Sequence, residues 1–192
     1  MISKEQANQN LKDFKTILDM LGIVFYLDGG TLLGAVRDKD FCQDDQSDID
    51  LTTSIDYWNK IDDLIEIARR NGFALYHKWD NKYYFEETGQ ITSSQVSFRK
   101  DGGKVDLMFK NKKGDFQWYT VFKGMKAIYK KVPLKFVEES RPCMFYGVEY
   151  NIPKMTDEYL RYRYGDYNIK VYKSDYSCYS TDKSIINGYE EI

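Results

Sequence analysis

The sequence predicts a single α+β domain in which a mixed β-sheet is flanked by helices. Helix-like and strand-like segments alternate over residues 1–72, and several strand-like segments then follow one another over residues 73–122. This order is typical of an α+β or α/β domain with a mixed sheet. The length of 192 residues fits one domain and is sufficient to bury a full core.

The amino-terminal part predicts a helix, a buried strand and a second, short helix. Apolar residues at helical spacing predict an amphipathic helix over residues 4–21, which Gly22 ends. The apolar run at residues 23–27 fits a buried strand. The glycine pair after this run leads into a short helix over residues 31–37.

An acidic loop precedes the second strand and the third helix. Residues 38–47 form this polar loop, in which Asp44 and Asp45 are favoured as exposed loop residues over outer ligands of a site. Residues 48–52 (DIDLT) have the alternating faces of a strand. Ser54 is placed to cap the helix that follows.

The chain then becomes rich in strands. The candidate strands cover residues 73–78, 83–87, 94–100, 104–109 and 116–122. Residues 101–103 (DGG) suit a hairpin turn between two of them, and residues 143–152 are expected to add a further strand. His77, the only histidine of the sequence, is expected to be structural. Residues 130–131 (KK) are expected to form a solvated surface pair.

The carboxyl-terminal part predicts one helix and a tail. Pro153 precedes the helix, Thr156 can cap it and Gly165 ends it. From about residue 167 the chain is rich in Tyr, Ser, Asp and Lys without a periodic pattern. This tail is expected to be loosely structured.

The composition predicts a soluble, cytoplasmic protein. The formal net charge of -2 provides no global basic field that would steer the protein toward nucleic acid. The three cysteines have no metal-ligand spacing, which favours reduced thiols in a reducing compartment. The first residues are polar, unlike a signal peptide, and no apolar run is long enough to cross a bilayer.

Two carboxylates on one predicted strand form the first candidate site feature. Asp48 and Asp50 are two residues apart, so on a strand they point to the same face. Two like charges this close repel each other unless a cation lies between them, and a hard divalent cation with oxygen ligands meets that need. The alternative interpretation is a solvent-facing edge strand.

A glycine turn forms the second feature. Gly29, Gly30 and Thr31 lie between a predicted strand and a predicted helix. Glycines let the backbone approach a phosphate closely, and a helix N-terminus presents free N–H groups. An ordinary strand-to-helix turn explains the same pattern.

A single acidic residue in an apolar strand forms the third feature. Asp106 lies within residues 104–109 (KVDLMF), where an unpaired charge is costly to bury. This residue therefore needs a metal, a basic partner or an exposed edge.

The three features together resemble the nucleotidyltransferase superfamily and, more narrowly, the LicD family, which includes the fukutin-type transferases. Residues 29–37 (GGTLLGAVR) followed by residues 48–51 (DIDL) are similar to the LicD pattern, including the long gap between them. Residues 105–109 (VDLMF) match the later acidic strand of that family. The closing segment, residues 152–166, resembles the family's Pro, Tyr-Leu and Tyr-Gly-Asp pattern.

The resemblance implies a nucleotidyltransferase fold and a metal-dependent transferase. Such an enzyme moves a phospho-alcohol, such as phosphocholine or an alditol phosphate, from a CDP-activated donor to a sugar or glycan hydroxyl. Asp48, Asp50 and Asp106 would be catalytic residues and ligands of Mg²⁺ or Mn²⁺. Residues 29–31 would cradle phosphate oxygens. Arg37 would either bind a phosphate or form a salt bridge with a neighbouring acid such as Asp38 or Asp40.

The sequence departs from the family in one loop and in length. The family often has Pro-Trp before its acidic cluster, where this chain has residues 41–47 (FCQDDQS), one residue longer. The chain is also short for the family and is expected to lack further acceptor-binding elements. Two alternatives stay open: transfer of a nucleotide from an NTP to a small molecule or protein, and a non-catalytic nucleotide-binding module.

Overall fold

The computed structural model describes residues 2–42, 46–85, 89–123, 126–170 and 182–185. The helices within them are α1 Lys4–Met20, α2 Gly29–Leu33, α3 Ile61–Arg70 and α4 Thr156–Tyr164. The strands are β1 Phe25–Leu27, β2 Asp48–Ser54, β3 Ala74–Phe85, β4 Gly89–Lys100, β5 Gly103–Lys113, β6 Phe116–Lys123, β7 Lys126–Pro133, β8 Ser140–Phe145 and β9 Val148–Pro153. Of the described helices, none combines the length and the apolar character that crossing a bilayer requires.

Seven strands form one mixed sheet, which confirms the α+β class with flanking helices. Five of them lie in the order β1-β2-β5-β4-β3, while β6 pairs with the end of β5, and β7 pairs with β6. The β2–β5 pair is parallel and the other pairs are antiparallel. Strands β8 and β9 form a separate hairpin.

The sheet has one apolar face, against which the first helix packs. On β2 and β5 the alternate residues Ile49, Leu51, Val105 and Leu107 are almost fully buried. From α1, Phe14 contacts Phe98 of β4 at a ring-centroid distance of 5.4 Å. Burying each such side chain contributes roughly 1.5–3 kcal/mol. Since successive side chains alternate between faces, this packing directs the acidic residues of β2 and β5 to the other face.

The amino-terminal predictions agree with the structure in kind, with one change of helix type. The first helix is capped by Ser3, whose hydroxyl accepts a hydrogen bond from the Gln6 backbone N–H. The short helix predicted over residues 31–37 begins earlier, at Gly29, and continues after Leu33 as a π-helical turn, Gly34–Asp38. Ser54 caps a 3-10 helix, Ile55–Lys60, which leads into α3.

The strand boundaries differ from the sequence expectation in three places. The strand predicted at 73–78 and the described part of the one predicted at 83–87 belong to one strand, β3. The strand predicted at 143–152 is part of the β8–β9 hairpin, which turns at Tyr146 and Gly147 with positive φ at both. Strand β7 was not predicted.

Several other expectations fall partly outside the described residues. Asp44 and Asp45 of the acidic loop lie outside them, as does Cys178, whereas Cys42 and Cys143 are described and no disulfide joins them. Most of the tail beyond residue 170 also lies outside the described part. Residues 182–185 are described, and Ile185 forms a β-bridge with Lys130 of β7.

Candidate active site

Three carboxylates from two neighbouring strands meet on the polar face of the sheet. Asp48, Asp50 and Asp106 each offer one carboxylate oxygen, and these three atoms lie within 4.8 Å of one another. The parallel register places Asp50 directly beside Asp106, and the spacing of two residues places Asp48 on the same face. The expectation that these residues converge is therefore correct.

The acidic triad has the chemistry of a divalent-cation site. The Asp106 side chain is 11% exposed, and its Oδ1 is buried without a hydrogen-bond partner among the described residues. A buried carboxylate oxygen without a donor is costly. Three carboxylates at this separation match the oxygen ligands that Mg²⁺ or Mn²⁺ prefers, so the residues present fit such an ion.

Lys104 is a basic member of this cluster that was not among the predicted site residues. Its Nζ lies 2.9 Å from Asp106 Oδ2 and 3.1 Å from Asp48 Oδ1. Burial alone would lower the pKa of Lys104, but the two carboxylates raise it above its ordinary value. Three carboxylates and one ammonium still leave two negative charges, which a divalent cation balances. The sequence feature that could have indicated Lys104 is its position two residues before Asp106. On a strand this spacing places both side chains on the same face.

The Gly-Gly turn holds the middle carboxylate of the triad. Gly30 N donates to Asp50 Oδ2 at 2.9 Å, and Asp50 N donates to Thr31 Oγ1 at 2.9 Å. Gly29 has φ +51°, and a Cβ at this position would lie 2.2 Å from Asp50 Oδ2. The predicted phosphate-binding turn therefore borders the triad, and two of its three residues fix the position of Asp50.

A buried charged network lies behind this turn. Asp28 is 1% exposed and pairs with Lys110 of β5, which is also 1% exposed. From α4, Tyr159 Oη donates to Asp28 Oδ1 at 2.6 Å and Arg163 Nη1 donates to the same oxygen at 3.3 Å. Burial would raise the pKa of Asp28, but Lys110 and Arg163 together lower it far below its ordinary value. The network joins the turn, the end of β5 and α4.

The same network reaches the described part of the tail. Lys130 Nζ donates to Asp182 Oδ2 at 2.6 Å, and Arg163 Nε lies 3.7 Å from that oxygen. Lys130 is only 4% exposed, so the expectation of a solvated lysine pair is wrong for this residue. Its carboxylate partner is 52 residues away along the chain, a pairing that no local pattern indicates.

Arg37 forms the salt bridge that the sequence offered as an alternative to phosphate binding. Its Nη2 lies 2.8 Å from Asp38 Oδ2, and this contact helps to lower the pKa of Asp38. Arg37 Nη2 also donates to Cys42 Sγ at 3.6 Å, and Cys42 Sγ donates to Gly30 O at 3.3 Å. Arg37 is thus connected to the glycine turn through Cys42.

The fold and the site define a class: an α+β domain whose acidic triad is suited to a divalent cation and lies beside a glycine turn. The family model for "LicD/FKTN/FKRP, nucleotidyltransferase domain" matches residues 22–155, and the chain belongs to this family. No curated protein matches the chain. The matched range includes the triad and the glycine turn. Membership in this family indicates a transferase with a phosphotransferase-like role in glycan modification.

Proposed function

We propose that this protein has the nucleotidyltransferase fold and moves a phospho-alcohol group, such as phosphocholine or an alditol phosphate, from a CDP-activated donor to a sugar or glycan hydroxyl. The observation that carries the proposal is the convergence of Asp48, Asp50 and Asp106 beside the Gly29–Gly30 turn in a chain of the LicD family. A diphosphate needs charge neutralisation and placement, and a divalent cation held by the triad would supply both.

In this proposal the triad holds Mg²⁺ or Mn²⁺, which supplies neutralisation of charge on the donor diphosphate. Gly30 and Thr31 keep Asp50 in place through the two hydrogen bonds described above. Lys104 lies between Asp48 and Asp106, and its ammonium would be available to a phosphate oxygen if these carboxylates held a cation. The backbone of residues 29–31 and the Arg37 guanidinium are the further candidates for phosphate contacts.

The reaction is a displacement at phosphorus. The acceptor hydroxyl oxygen attacks the phosphorus that carries the alcohol, and the bond from this phosphorus to the bridging oxygen breaks, so that CMP leaves with the electron pair. The hydroxyl proton passes to a carboxylate, and Asp106 is the candidate because its Oδ1 has no donor among the described residues. If Asp106 instead serves only as a ligand, solvent takes the proton.

Product analysis with matched variants tests the proposal. The protein is incubated with Mg²⁺ and CDP-choline or CDP-ribitol in the presence of glycan acceptors, and CMP is measured. We expect CMP release by the wild type and by Asp62→Asn, whose side chain is 89% exposed on α3, but not by Asp106→Asn. Pyrophosphate release from CTP or ATP, without CMP from the CDP donors, would support the nucleotidyl-transfer alternative instead.

A further inference from the structure

The sheet face that carries the triad continues across two more strands. Asp50 is paired with Asp106, Asp106 with Ser97 of β4, and Ser97 with His77 of β3. Residues directly opposite each other in a sheet point to the same face, so these four side chains form one row. Neighbouring strands are about 4.8 Å apart, which places His77 about 10 Å from Asp106 along the sheet.

Aromatic rings occupy the far end of this row. His77 contacts Tyr76 at a ring-centroid distance of 3.8 Å and Trp79 at 5.3 Å. The guanidinium of Arg99 lies 3.6 Å from the centre of the Tyr76 ring. A β-bulge between Leu75 and His77 brings Tyr76 next to His77. We call Tyr76, His77, Trp79 and Arg99 the aromatic shelf.

The shelf is accessible to a ligand although it lies on a sheet. It includes the edge strand β3, which pairs only with β4 in the described sheet. Tyr76 is 42% exposed, His77 and Trp79 are half-buried, and Arg99 is exposed. The exposed parts of these rings can contact the base of a ligand.

The residues beside the triad leave little room on the β1 side and toward the end of β5. On the β1 side, the glycine turn packs against Asp50 so tightly that a Cβ on Gly29 would collide with the carboxylate. Toward the end of β5, Lys110 is buried in the network with Asp28. Toward β4, the neighbour of Asp106 is the small side chain of Ser97, which accepts a hydrogen bond from Gln95 Nε2 at 3.3 Å.

We propose that the aromatic shelf binds the nucleoside of the activated donor, with the base stacked on His77 and Trp79. The inference rests on the proposed function, because it takes the donor diphosphate to lie at the triad. A ribose separates the phosphates of a nucleotide from its base, as strand β4 separates the triad from the rings. Gln95, between the two, presents an amide that can hydrogen-bond ribose hydroxyls. Stacking on aromatic rings accepts any base, so the shelf contributes affinity for a nucleoside rather than selection of cytosine.

Comparison of a nucleotide with pyrophosphate tests the shelf separately from the triad. Calorimetry with Mg²⁺ measures the affinity of the full chain for CDP and for pyrophosphate. Base–aromatic stacking predicts that His77→Ala and Trp79→Ala each weaken CDP binding by about 5- to 140-fold. Neither variant is expected to change pyrophosphate binding, and Trp79→Phe is expected to retain most of the CDP affinity because it keeps a ring.

Leu75→Ala is the matched control on the same strand. Leu75 is paired with Phe98, which lies on the apolar face, and it is 46% exposed. We therefore expect wild-type CDP affinity for this variant. If the Trp79→Ala variant does not fold, tryptophan fluorescence of the wild type and of Trp79→Phe is measured as CDP is added. A base stacked on Trp79 quenches the indole fluorescence of the wild type, and Trp79→Phe lacks this quenching.

Two outcomes would overturn the inference, and they are distinguishable. The shelf would be excluded, while the triad stands, if the wild type binds pyrophosphate and both His77→Ala and Trp79→Ala bind CDP with wild-type affinity. Where Trp79→Ala does not fold, quenching in Trp79→Phe equal to that of the wild type takes its place. Wild-type protein that binds neither CDP nor pyrophosphate in Mg²⁺ would exclude both the proposed function and the shelf built on it. If the variants weaken a glycan acceptor but not CDP, the rings serve the other substrate and the nucleoside assignment is wrong.

Discussion

Gly29 lies directly against the Asp50 carboxylate, and a Cβ built on the glycine would fall 2.2 Å from Asp50 Oδ2. No side chain fits in that space without moving the carboxylate. The contact connects two features that are far apart in the sequence, the glycine turn and the Asp-x-Asp strand. It also explains why the turn requires glycine at a position with φ +51°.

Gly29→Ala is expected to displace Asp50 and to weaken Mn²⁺ binding at least tenfold, which is a loss of about 1.4 kcal/mol. The matched control is Gly114→Ala, because Gly114 has φ +57° but a Cβ added there would meet no atom within 4 Å. Both variants carry the backbone cost of about 1–2 kcal/mol for a left-handed alanine. Calorimetric Mn²⁺ titration of both checks the difference. Equal Mn²⁺ affinity of the two variants would show that the close contact has no influence on the site.

Lys104→Met is expected to strengthen divalent-cation binding and to reduce the stability of the metal-free protein. The substitution removes the ammonium that now lies between Asp48 and Asp106, so the cluster carries three negative charges with no internal cation. We expect a several-fold lower Kd for Mn²⁺ and a lower Tm without metal, since like charges close together repel. The control Lys78→Met removes a surface lysine that pairs with Asp62. Weaker Mn²⁺ binding by Lys104→Met would contradict this role of Lys104.

Asp28→Asn is expected to destabilise the fold by about 3–5 kcal/mol, because it removes the carboxylate that pairs with buried Lys110 and leaves buried Arg163 with Asp182 alone. Combining it with Lys110→Met removes one of these charges and should recover part of the loss. A surface pair serves as the control: Asp19→Asn removes a 54% exposed partner of Lys15 and should cost less than about 1 kcal/mol. Urea denaturation measures the free energy of unfolding of all three variants. If Asp28→Asn lowers it no more than Asp19→Asn does, the structural role of the network is refuted.

Arg37→Ala is expected to weaken binding of a CDP-linked donor more than binding of Mn²⁺. In the proposal the guanidinium contacts a donor phosphate, which requires it to exchange its present ion pair with Asp38 for that contact. Calorimetry with donor and with Mn²⁺ alone separates the two effects. Unchanged donor affinity would leave Arg37 with the structural role indicated by its contacts to Asp38 and Cys42.

The acidic triad and the glycine turn were predictable because their signals are local. The spacing of Asp48 and Asp50 defines one face of a strand, and the charge of Asp106 stands out within an apolar run. The order of these segments along the chain then pointed to one family. The three carboxylates meet because of the β2–β5 register. The sequence predicts the meeting but not the register, which the structure provides.

The remaining members of the site depend on pairings that the sequence does not encode locally. Asp28 and Arg163 are 135 residues apart, and Lys130 pairs with a carboxylate 52 residues away. The row from Asp106 to His77 exists only once the registers of β3 and β4 are known. The register places His77 on the face of the triad, and the expectation that His77 is structural stays a prediction.

One strand error has a clear physical cause. Residues 80–81 (DN) have the composition of a turn and lie in the gap between the two predicted strands. In the structure Asp80 is paired with Ser94, whose hydroxyl donates to the Asp80 carboxylate at 2.7 Å. This cross-strand hydrogen bond satisfies the polar side chain within the ladder, and β3 continues without interruption.

Mn²⁺ titration of the wild type and of triad variants tests the central claim most directly. We expect saturable binding by the wild type and by Asp62→Asn, and loss of that binding in Asp48→Ala, Asp50→Ala and Asp106→Asn. Asp48→Ala and Asp50→Ala should keep a Tm near that of the wild type, because each removes a repulsion together with a ligand. Wild-type protein that binds no Mn²⁺, or a folded Asp48→Ala or Asp50→Ala variant that binds it as the wild type does, would contradict the claim that these carboxylates form a metal site.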